Sequence, residues 1–314
     1  MQTTRRLLLA GFQLLCVAMI AAAAPPSGPS LSIQSITGRV SFDYDSILGV
    51  EIQQEIVVKH KGDATEFFIT LSQGSAPSFT PRLIESRDAD TLEYQLYDQT
   101  VSYVIKDLTA SPGLDEVLSG SFGLSSGWQT ASVFYVLKLA PDQFQPAGTY
   151  DDSVTATLYS GVPDGVYVEK ATKPVTFSGG LAAVLELSVV SPGSPFDPNS
   201  LSQTFAFGEL QQSDSRSADI MVRSNSTYSV SLQSAGKGVM THIDRQVSST
   251  VPYTLHFDGL LIGLGGNQPT EVVTSAPPTS PSGWPYRTIV TIGDVGFPSA
   301  GDYEDVITIS LSAP

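Results

Sequence analysis

The chain has 314 residues, of which only 15% are charged, and its formal net charge is −15. That length allows two domains, each with a core of its own. The acidic balance argues against nucleic acid or an anionic membrane as a partner, because both bind basic surfaces. Abundant Thr, Ser, Val, Gly and Pro are typical of β-sheet proteins with many tight turns.

Residues 1–24 have the features of a secretory signal peptide. Arg5 and Arg6 precede an apolar run over residues 7–20, and four alanines follow at 21–24. This run is too short for a transmembrane helix, so we expect an exported protein. The only cysteine, Cys16, lies in this leader. The mature chain is therefore predicted to contain no disulfide and no thiolate metal site.

Short alternating apolar runs fill the rest of the chain. Examples are EIVVKH at residues 55–60, EFFITLS at 66–72 and VFYVLKL at 133–139. Gly-, Pro- and Ser-rich corners separate them, and no sustained helical period occurs after the leader. This pattern predicts antiparallel β-sandwiches.

One strand motif occurs twice. Residues 147–158 read AGTYDDSVTATL, and residues 300–311, which lie 153 positions later, read AGDYEDVITISL. Earlier in the chain Tyr94 of LEYQL matches Tyr253 of VPYTL, in the same order. Collinear matches of this kind predict two copies of one domain plan.

The domain boundary is predicted near the sequence FSGG at residues 177–180. We expect an N-terminal β-sandwich over residues 25–180 and a C-terminal β-sandwich over residues 181–314. The strands after the boundary begin with LAAVLELSVVS and continue to the last residues given.

The period-2 pattern of the repeated strand predicts which side chains face the core. The inward residues of the two copies are Tyr150, Val154, Ala156 and Leu158, matched by Tyr303, Ile307, Ile309 and Leu311. Asp152 and Asp305 share that inward parity. We expect these two carboxylates to cap turn N–H groups, with metal binding as the alternative.

The two copies of the motif differ in the length of chain after them. Beyond Leu158 the chain continues with VYVEKATKPVTF at residues 167–178, which is long enough to close the first sandwich. Only three residues come after Leu311, so the second sandwich is expected to lack its final strand. An unpaired edge recruits other strands. Tyr303, Ile307, Ile309 and Leu311 are therefore predicted to line a groove for a donated strand.

The second half of the chain resembles the spore coat protein U domain family, the secreted pilin-like subunits of archaic chaperone–usher pili. The resemblance is carried by FAFGEL at residues 205–210, STYSVSL at 226–232, VPYTLHF at 251–257 and the final AGDYEDVITISL. It is good over residues 201–314 and looser over 31–160. It implies an all-β chain of two consecutive immunoglobulin-like (pilin-like) sandwiches, the second without its final strand.

The resemblance also implies a function and partners. It implies a fimbrial subunit that a periplasmic pilus chaperone holds in transit and an outer-membrane usher assembles with neighbouring pilin subunits at the cell surface. A two-domain member would resemble a tip adhesin, with a self-completed first domain that mediates surface attachment or biofilm formation. The alternatives are a non-fimbrial surface or coat structural protein and an exported serine hydrolase. In a further alternative, Leu31, Ile33 and Ile36 are themselves a donor strand.

Signals for catalysis are weak. Ser125 lies in a G-x-S-x-G sequence, but that nucleophile motif requires a strand–turn–helix setting, and the surroundings here are β-rich. We therefore predict no enzyme and no cofactor. His60, His242 and His256 lack metal-ligand spacing, so surface or edge positions are expected for them. Trp128 and Trp284, at repeated positions, are predicted to lie in the core.

Adhesion, if the first domain performs it, is expected to be hydrophobic and to use loops. Phe79, Leu114 and Phe122 are apolar residues in turn contexts, and they are the predicted contact residues. The alternative is that they pack under their own loops as small satellite cores.

Overall fold

The computed structural model describes residues 30–46 and 48–313. The predicted leader and Cys16 lie outside the described residues. Within them the chain forms two β-sandwiches, and residues 182–184 join the two. The predicted all-β architecture of two consecutive sandwiches is confirmed. No helix in the described ranges is long and apolar enough to cross a membrane.

The first sandwich contains ten strands. They are β1 (Ser30–Ile36), β2 (Arg39–Tyr44), β3 (Val50–Gly62), β4 (Thr65–Leu71), β5 (Arg82–Ser86), β6 (Thr91–Asp98), β7 (Leu118–Phe122), β8 (Ser125–Leu139), β9 (Gly148–Gly161) and β10 (Tyr167–Leu181). They pair in the order β1-β3-β8-β6-β5-β9-β10-β2, and β4 pairs with both β7 and β9. The sheet curls around one hydrophobic core.

The second sandwich also contains ten strands. They are β11 (Leu185–Val190), β12 (Ser215–Ser224), β13 (Tyr228–Ser234), β14 (Val239–His242), β15 (Thr250–Phe257), β16 (Leu260–Ile262), β17 (Thr270–Ala276), β18 (Trp284–Ile292), β19 (Tyr303–Glu304) and β20 (Ile307–Ser312). One sheet has the order β11-β12-β18-β15-β14-β19, with β16 beside β15, and the other has the order β17-β13-β20.

The core of the first sandwich follows the predicted alternation. Along β9, Tyr150, Val154, Ala156 and Leu158 are all buried, as their parity predicts. Leu31 and Ile33 are buried in the same core, and β1 pairs antiparallel with β3. In this structure these residues complete their own domain, contrary to the alternative in which they are donated to another subunit.

The junction between the sandwiches lies slightly later than FSGG. Strand β10 runs through residues 177–180 and ends at Leu181. The three linker residues that follow are held by Asn225, whose Oδ1 accepts from Val184 N at 2.6 Å and whose Nδ2 donates to Ala182 O at 3.0 Å. Asn225 is the first residue of a glycosylation sequon, and it is buried.

Candidate functional site

The first sandwich shows how this domain plan is closed. Strand β10 lies between β9, to which it is antiparallel, and β2, to which it is parallel. Its residues Val175, Phe177 and Leu181 are buried in the core. In this register Val175 is opposite Val154, and Phe177 is opposite Asp152. The strand that follows the first copy of the repeated motif is therefore part of its own domain's core.

The second copy of the motif lacks such a neighbour. Strand β20 pairs with β13 on one side, and among residues 30–46 and 48–313 no strand pairs with its other side. Ile307, Ile309 and Leu311 are each half-buried, whereas their counterparts in β9 are buried. We call the outer side of β20, with these three residues, the open edge. The β9 residues are more buried because β10 lies beside them in the first sandwich, and the β20 residues have no such strand in the described chain.

In the second sandwich, the segment on the other side of the place that a closing strand would fill is also unpaired. In the first sandwich β2, with the sequence RVSFDY, is the parallel neighbour of β10. The corresponding FAFGEL segment at residues 205–210 forms no strand. Phe205 and Phe207 are half-buried and pack against the core of the second sandwich. The two segments that would flank a closing strand are therefore both present, and neither is paired on that side.

Three of the four predicted groove residues lie together on β20. The fourth, Tyr303, is in β19, which pairs with β14 in the other sheet. Its hydroxyl donates to Ser299 O at 2.7 Å, and the His242 ring packs edge-on against it with centroids 5.2 Å apart. Tyr303 thus anchors the loop before β20, and the open edge itself begins at Ile307.

The two inward-facing aspartates cap turns, as expected. Asp152 Oδ1 accepts from Ser75 N at 3.0 Å, and Asp305 Oδ1 accepts from Gly236 N at 2.6 Å. Each carboxylate also accepts a tyrosine hydroxyl from the neighbouring layer. In the described ranges no group of three or more His, Cys, Asp or Glu residues is placed to hold a metal ion.

The predicted adhesive loop residues do not form a surface. Phe122 is buried and stacks on His60 and Phe67, with ring centroids 5.2 Å apart in both pairs. Phe79 is buried beside the Arg82 guanidinium, 5.1 Å from its ring centroid. Only Leu114 is exposed, at 53%. The prediction is therefore wrong for Phe79 and Phe122, because the first ring lies against the Arg82 guanidinium and the second is stacked on rings distant in sequence.

Arg82, beside Phe79, is fully buried and has main-chain carbonyls as its main partners. Its Nε donates to Ser72 O at 3.0 Å, and its Nη2 donates to Leu71 O at 3.1 Å and to Ile105 O at 2.5 Å. Burial lowers the pKa of Arg82 to about 10. These hydrogen bonds hold three segments of the first sandwich together beneath the Phe79 loop.

The structure places a different apolar set at one end of the first sandwich. Three connections lie at this end: the β9–β10 turn, the β3–β4 turn and the β7–β8 connection. Strand pairing places them together, because Ser160 is opposite Phe67, Phe122 is opposite Thr65 and Ser125 is opposite Gly62. The exposed large apolar side chains of this end are Leu124, Trp128, Val166, Tyr167 and Val168. We call this set the apolar end. It is remote from the linker, since β10 runs from here toward residue 181.

The apolar end rests on a rigid aromatic base. Phe68 is fully buried and stacks on Tyr159 with ring centroids 4.9 Å apart. Tyr167 contacts both rings edge-on, at 5.8 and 5.6 Å. The one sequence signal for this site is the run Val166-Tyr167-Val168 directly after a turn, where three apolar residues follow one another without alternation.

The structure also corrects the sequence predictions for the two tryptophans and for His60. Trp128 and Trp284 are both 57% exposed, so neither is a core residue. Lys59 Nζ lies 5.0 Å from the Trp128 ring centroid. His60, expected at the surface or an edge, is fully buried, and one of its ring nitrogens lies 2.7 Å from Asp63 O.

The G-x-S-x-G sequence has no nucleophile geometry. Ser125 is the first residue of the long strand β8, and its Oγ accepts a hydrogen bond from Gly127 N at 3.2 Å. A nucleophile elbow instead places its serine in a sharp turn between a strand and a helix. The local structure at Ser125 is extended strand.

Several solved structures have a similar course of the chain. They include a chain of the CsuC–CsuE chaperone–tip subunit complex of Acinetobacter baumannii (13% identity, TM-score 0.42, 90% of this chain and 99% of that chain). The CupB6 tip adhesin of Pseudomonas aeruginosa (12%, TM-score 0.37, 90% and 92%) and the CfaE adhesive subunit of enterotoxigenic Escherichia coli (12%, TM-score 0.35, 90% and 94%) are similar to a comparable degree. These similarities are distant.

A family model matches part of the chain. No curated protein sequence matches the chain. The model of the Spore Coat Protein U domain matches residues 29–157, which lie in the first sandwich, whereas the sequence motifs showed the resemblance best in residues 201–314. Over residues 29–157 the chain is therefore similar to Spore Coat Protein U domains.

Proposed function

We propose that this chain is an exported fimbrial subunit whose second domain is closed by a strand from a neighbouring pilin subunit and whose first domain is adhesive. The observation that supports strand acceptance is the contrast between β9 and β20. The same motif is fully covered in the first sandwich and half-covered in the second. In this proposal the chain crosses the periplasm and functions at the cell surface in attachment or biofilm formation.

The energetics of the open edge favour a tightly fitting partner. Fully burying an aliphatic side chain contributes about 1.5–3 kcal/mol, and Ile307, Ile309 and Leu311 are already half-buried. Ordering a donated strand costs on the order of 1–2 kcal/mol per residue. Association therefore requires the main-chain hydrogen bonds along β20 and apolar side chains from the donor as well.

The same edge is the reason to propose a periplasmic pilus chaperone and an outer-membrane usher as partners. A free strand edge pairs readily with other chains, so it has to be covered between export and assembly. A chaperone that covers β20 and an usher that exchanges it for a donor strand would meet this requirement.

The adhesive role is proposed for the apolar end. Val166 is 88% exposed and Leu124 is 75% exposed, and the strand register places both at the same end of the first sandwich. Clusters of exposed apolar groups usually mark a contact surface. Because this end is remote from the linker, it would point away from the rest of a fimbria. A binding role, not catalysis, is what this surface supports.

Strand acceptance can be tested with the chain's own closing strand. Leu158 corresponds to Leu311, so a copy of residues 159–181 placed after Leu311 would bring Val175 opposite Ile307 and Phe177 opposite Asp305. We expect this tail to raise the unfolding temperature of the second domain in calorimetry. A tail with Val175→Ser and Phe177→Ser is the matched control. Equal unfolding temperatures with both tails, or with no tail, would refute the open edge.

A further inference from the structure

The loops that lead into the two copies of the repeated motif share a tyrosine anchor. In the first sandwich, the Tyr150 hydroxyl donates to Pro146 O at 2.6 Å. In the second, the Tyr303 hydroxyl donates to Ser299 O at 2.7 Å, again four residues upstream. The residue six positions before each tyrosine is a phenylalanine, Phe144 or Phe297. Residues 140–147 and 293–300 therefore occupy equivalent positions before the two copies of the motif.

The first of these loops contacts the next domain along the chain. Ala147 N donates to Asn225 O at 2.8 Å. Asn225 belongs to the turn at residues 225–227, between β12 and β13, and its side chain also fixes the linker. The loop before β9 is thus part of the junction between the two sandwiches.

The closing strand leads directly to that junction. Leu181, the last residue of β10, is opposite Gly148, and only residues 182–184 separate it from the second sandwich. A strand that closes a domain in this direction therefore carries the next domain against the loop before β9. In the second sandwich, Gly301 corresponds to Gly148, so a strand donated in the same direction would leave the groove beside Gly301.

The equivalent loop of the second sandwich is uncovered. Phe297 is fully exposed, whereas Phe144 is half-buried. The Ala300 N–H, equivalent to that of Ala147, has no hydrogen-bond acceptor within the described part of the chain. The Ala300 N–H is thus free, among the described residues, at the position where Ala147 contacts the next domain, and the exposed Phe297 ring lies three residues before it.

We propose that the loop at residues 293–302 is the docking surface for the body of the subunit that donates the closing strand. The occupant is the β-sandwich of the donating subunit, which docks through the turn between its second and third strands, as the 225–227 turn does at the junction within this chain. A carbonyl of that turn accepts from Ala300 N–H, and its surface covers Phe297. This inference rests on the proposed function, because it requires strand donation to the open edge.

The test uses the chain extended by its own residues. A copy of residues 159–314 placed after Leu311 supplies both a closing strand and a following domain with the 225–227 turn. The copy contains its own β20 and Ala300, so isotope labels are confined to the residues before the extension. Amide hydrogen exchange by NMR then reports two places separately: the β20 amides that point away from β13, and Ala300. Protection at both, with exchange at Ala300 slowed at least about tenfold relative to the unextended chain, is the expected result.

Variants and outcomes separate the two proposals. Phe297→Ser in the extended chain should reduce protection at Ala300 and leave β20 protected, whereas Leu260→Ser, at an equally apolar exposed position on β16, should change neither. Protected β20 amides with an unprotected Ala300, or no effect of Phe297→Ser, would overturn the docking loop and leave strand acceptance intact. Unprotected β20 amides would overturn both.

Discussion

The Tyr94 hydroxyl donates to Asp152 Oδ2 at 2.5 Å across the first sandwich, and Tyr253 makes the same bond to Asp305 at 2.5 Å in the second. Each aspartate belongs to the repeated strand motif, and each tyrosine belongs to the matching LEYQL or VPYTL strand. The two domains therefore share a polar contact as well as a sequence motif. In each, the aspartate of the repeated strand binds both a turn N–H and a tyrosine hydroxyl of another strand.

Glycine makes the carboxylate's approach possible in the first sandwich. Gly74 has φ of +72°, and a Cβ at this position would lie 2.1 Å from Asp152 Oδ2. The turn can therefore bring Ser75 N to the buried carboxylate only without a side chain at residue 74. The contact depends on the turn sequence as well as on the tyrosine and aspartate.

Removing either tyrosine hydroxyl should destabilise its own domain. Tyr94→Phe leaves a buried carboxylate oxygen without its partner, which costs about 1–3 kcal/mol. Tyr253→Phe should lower the stability of the second domain by less, because Asp305 is half-buried and its Oδ2 also accepts from the Ser234 hydroxyl. Denaturant unfolding of each variant measures the change. Tyr103→Phe, at a position 47% exposed, is the control, and a loss as large as that of Tyr94→Phe would contradict the prediction.

High pH should destabilise the first domain through the same tyrosine. Burial, and then the neighbouring Asp152 carboxylate, raises the pKa of Tyr94. Unfolded tyrosine ionises near pH 10, so above that pH the unfolded state releases a proton that the folded state retains. Stability is fully present below about pH 10 and falls above it, by up to about 1.4 kcal/mol per pH unit for this group.

Unfolding free energies measured from about pH 9 to 11 check this dependence. Tyr94→Phe should show a shallower decline than the natural chain, since the ionising hydroxyl is absent. Identical slopes in the two proteins would show that Tyr94 does not contribute.

The strands, the duplication and the capping aspartates could all be predicted from the sequence. They depend on the period-2 alternation of β-strands and on local turn chemistry, which neighbouring residues determine. The burial of Val154 and Leu158 and the capping by Asp152 are confirmed for this reason. The open edge could be located because, within residues 30–46 and 48–313, a paired strand follows the first copy of the motif and none follows the second.

The exposed tryptophans and the buried loop phenylalanines could not be predicted in this way. Parity states which face a side chain is on, but not how far the opposite layer extends. The first residues of β8 are mostly exposed, so Trp128 is exposed whatever its parity. Phe122 is buried by stacking on His60 and Phe67, which are distant in sequence. Such contacts depend on how the strands assemble.

Charge on the two faces of β20 should have unequal effects on strand acceptance. Ile309 is half-buried against the core, and Thr308 is exposed. In the chain carrying the tail of residues 159–181, Ile309→Asp places a carboxylate beneath the added strand, at a cost of several kcal/mol. We expect it to abolish the tail's gain in unfolding temperature, while Thr308→Asp retains that gain. An equal loss in both variants would show that the predicted register of β20 is wrong.

The apolar end should determine attachment to hydrophobic surfaces. The double variant Leu124→Ser, Val166→Ser removes two side chains that are 75% and 88% exposed and makes no cavity, so its unfolding temperature should stay unchanged. Its adsorption to polystyrene beads should fall severalfold, because less apolar area leaves water on contact. Leu48→Ser is the matched control, since Leu48 is 81% exposed in the turn after β2, at the end of the sandwich nearer the linker. Equal adsorption by the double variant and the natural chain, or an equal loss with Leu48→Ser, would remove the adhesive role from this end.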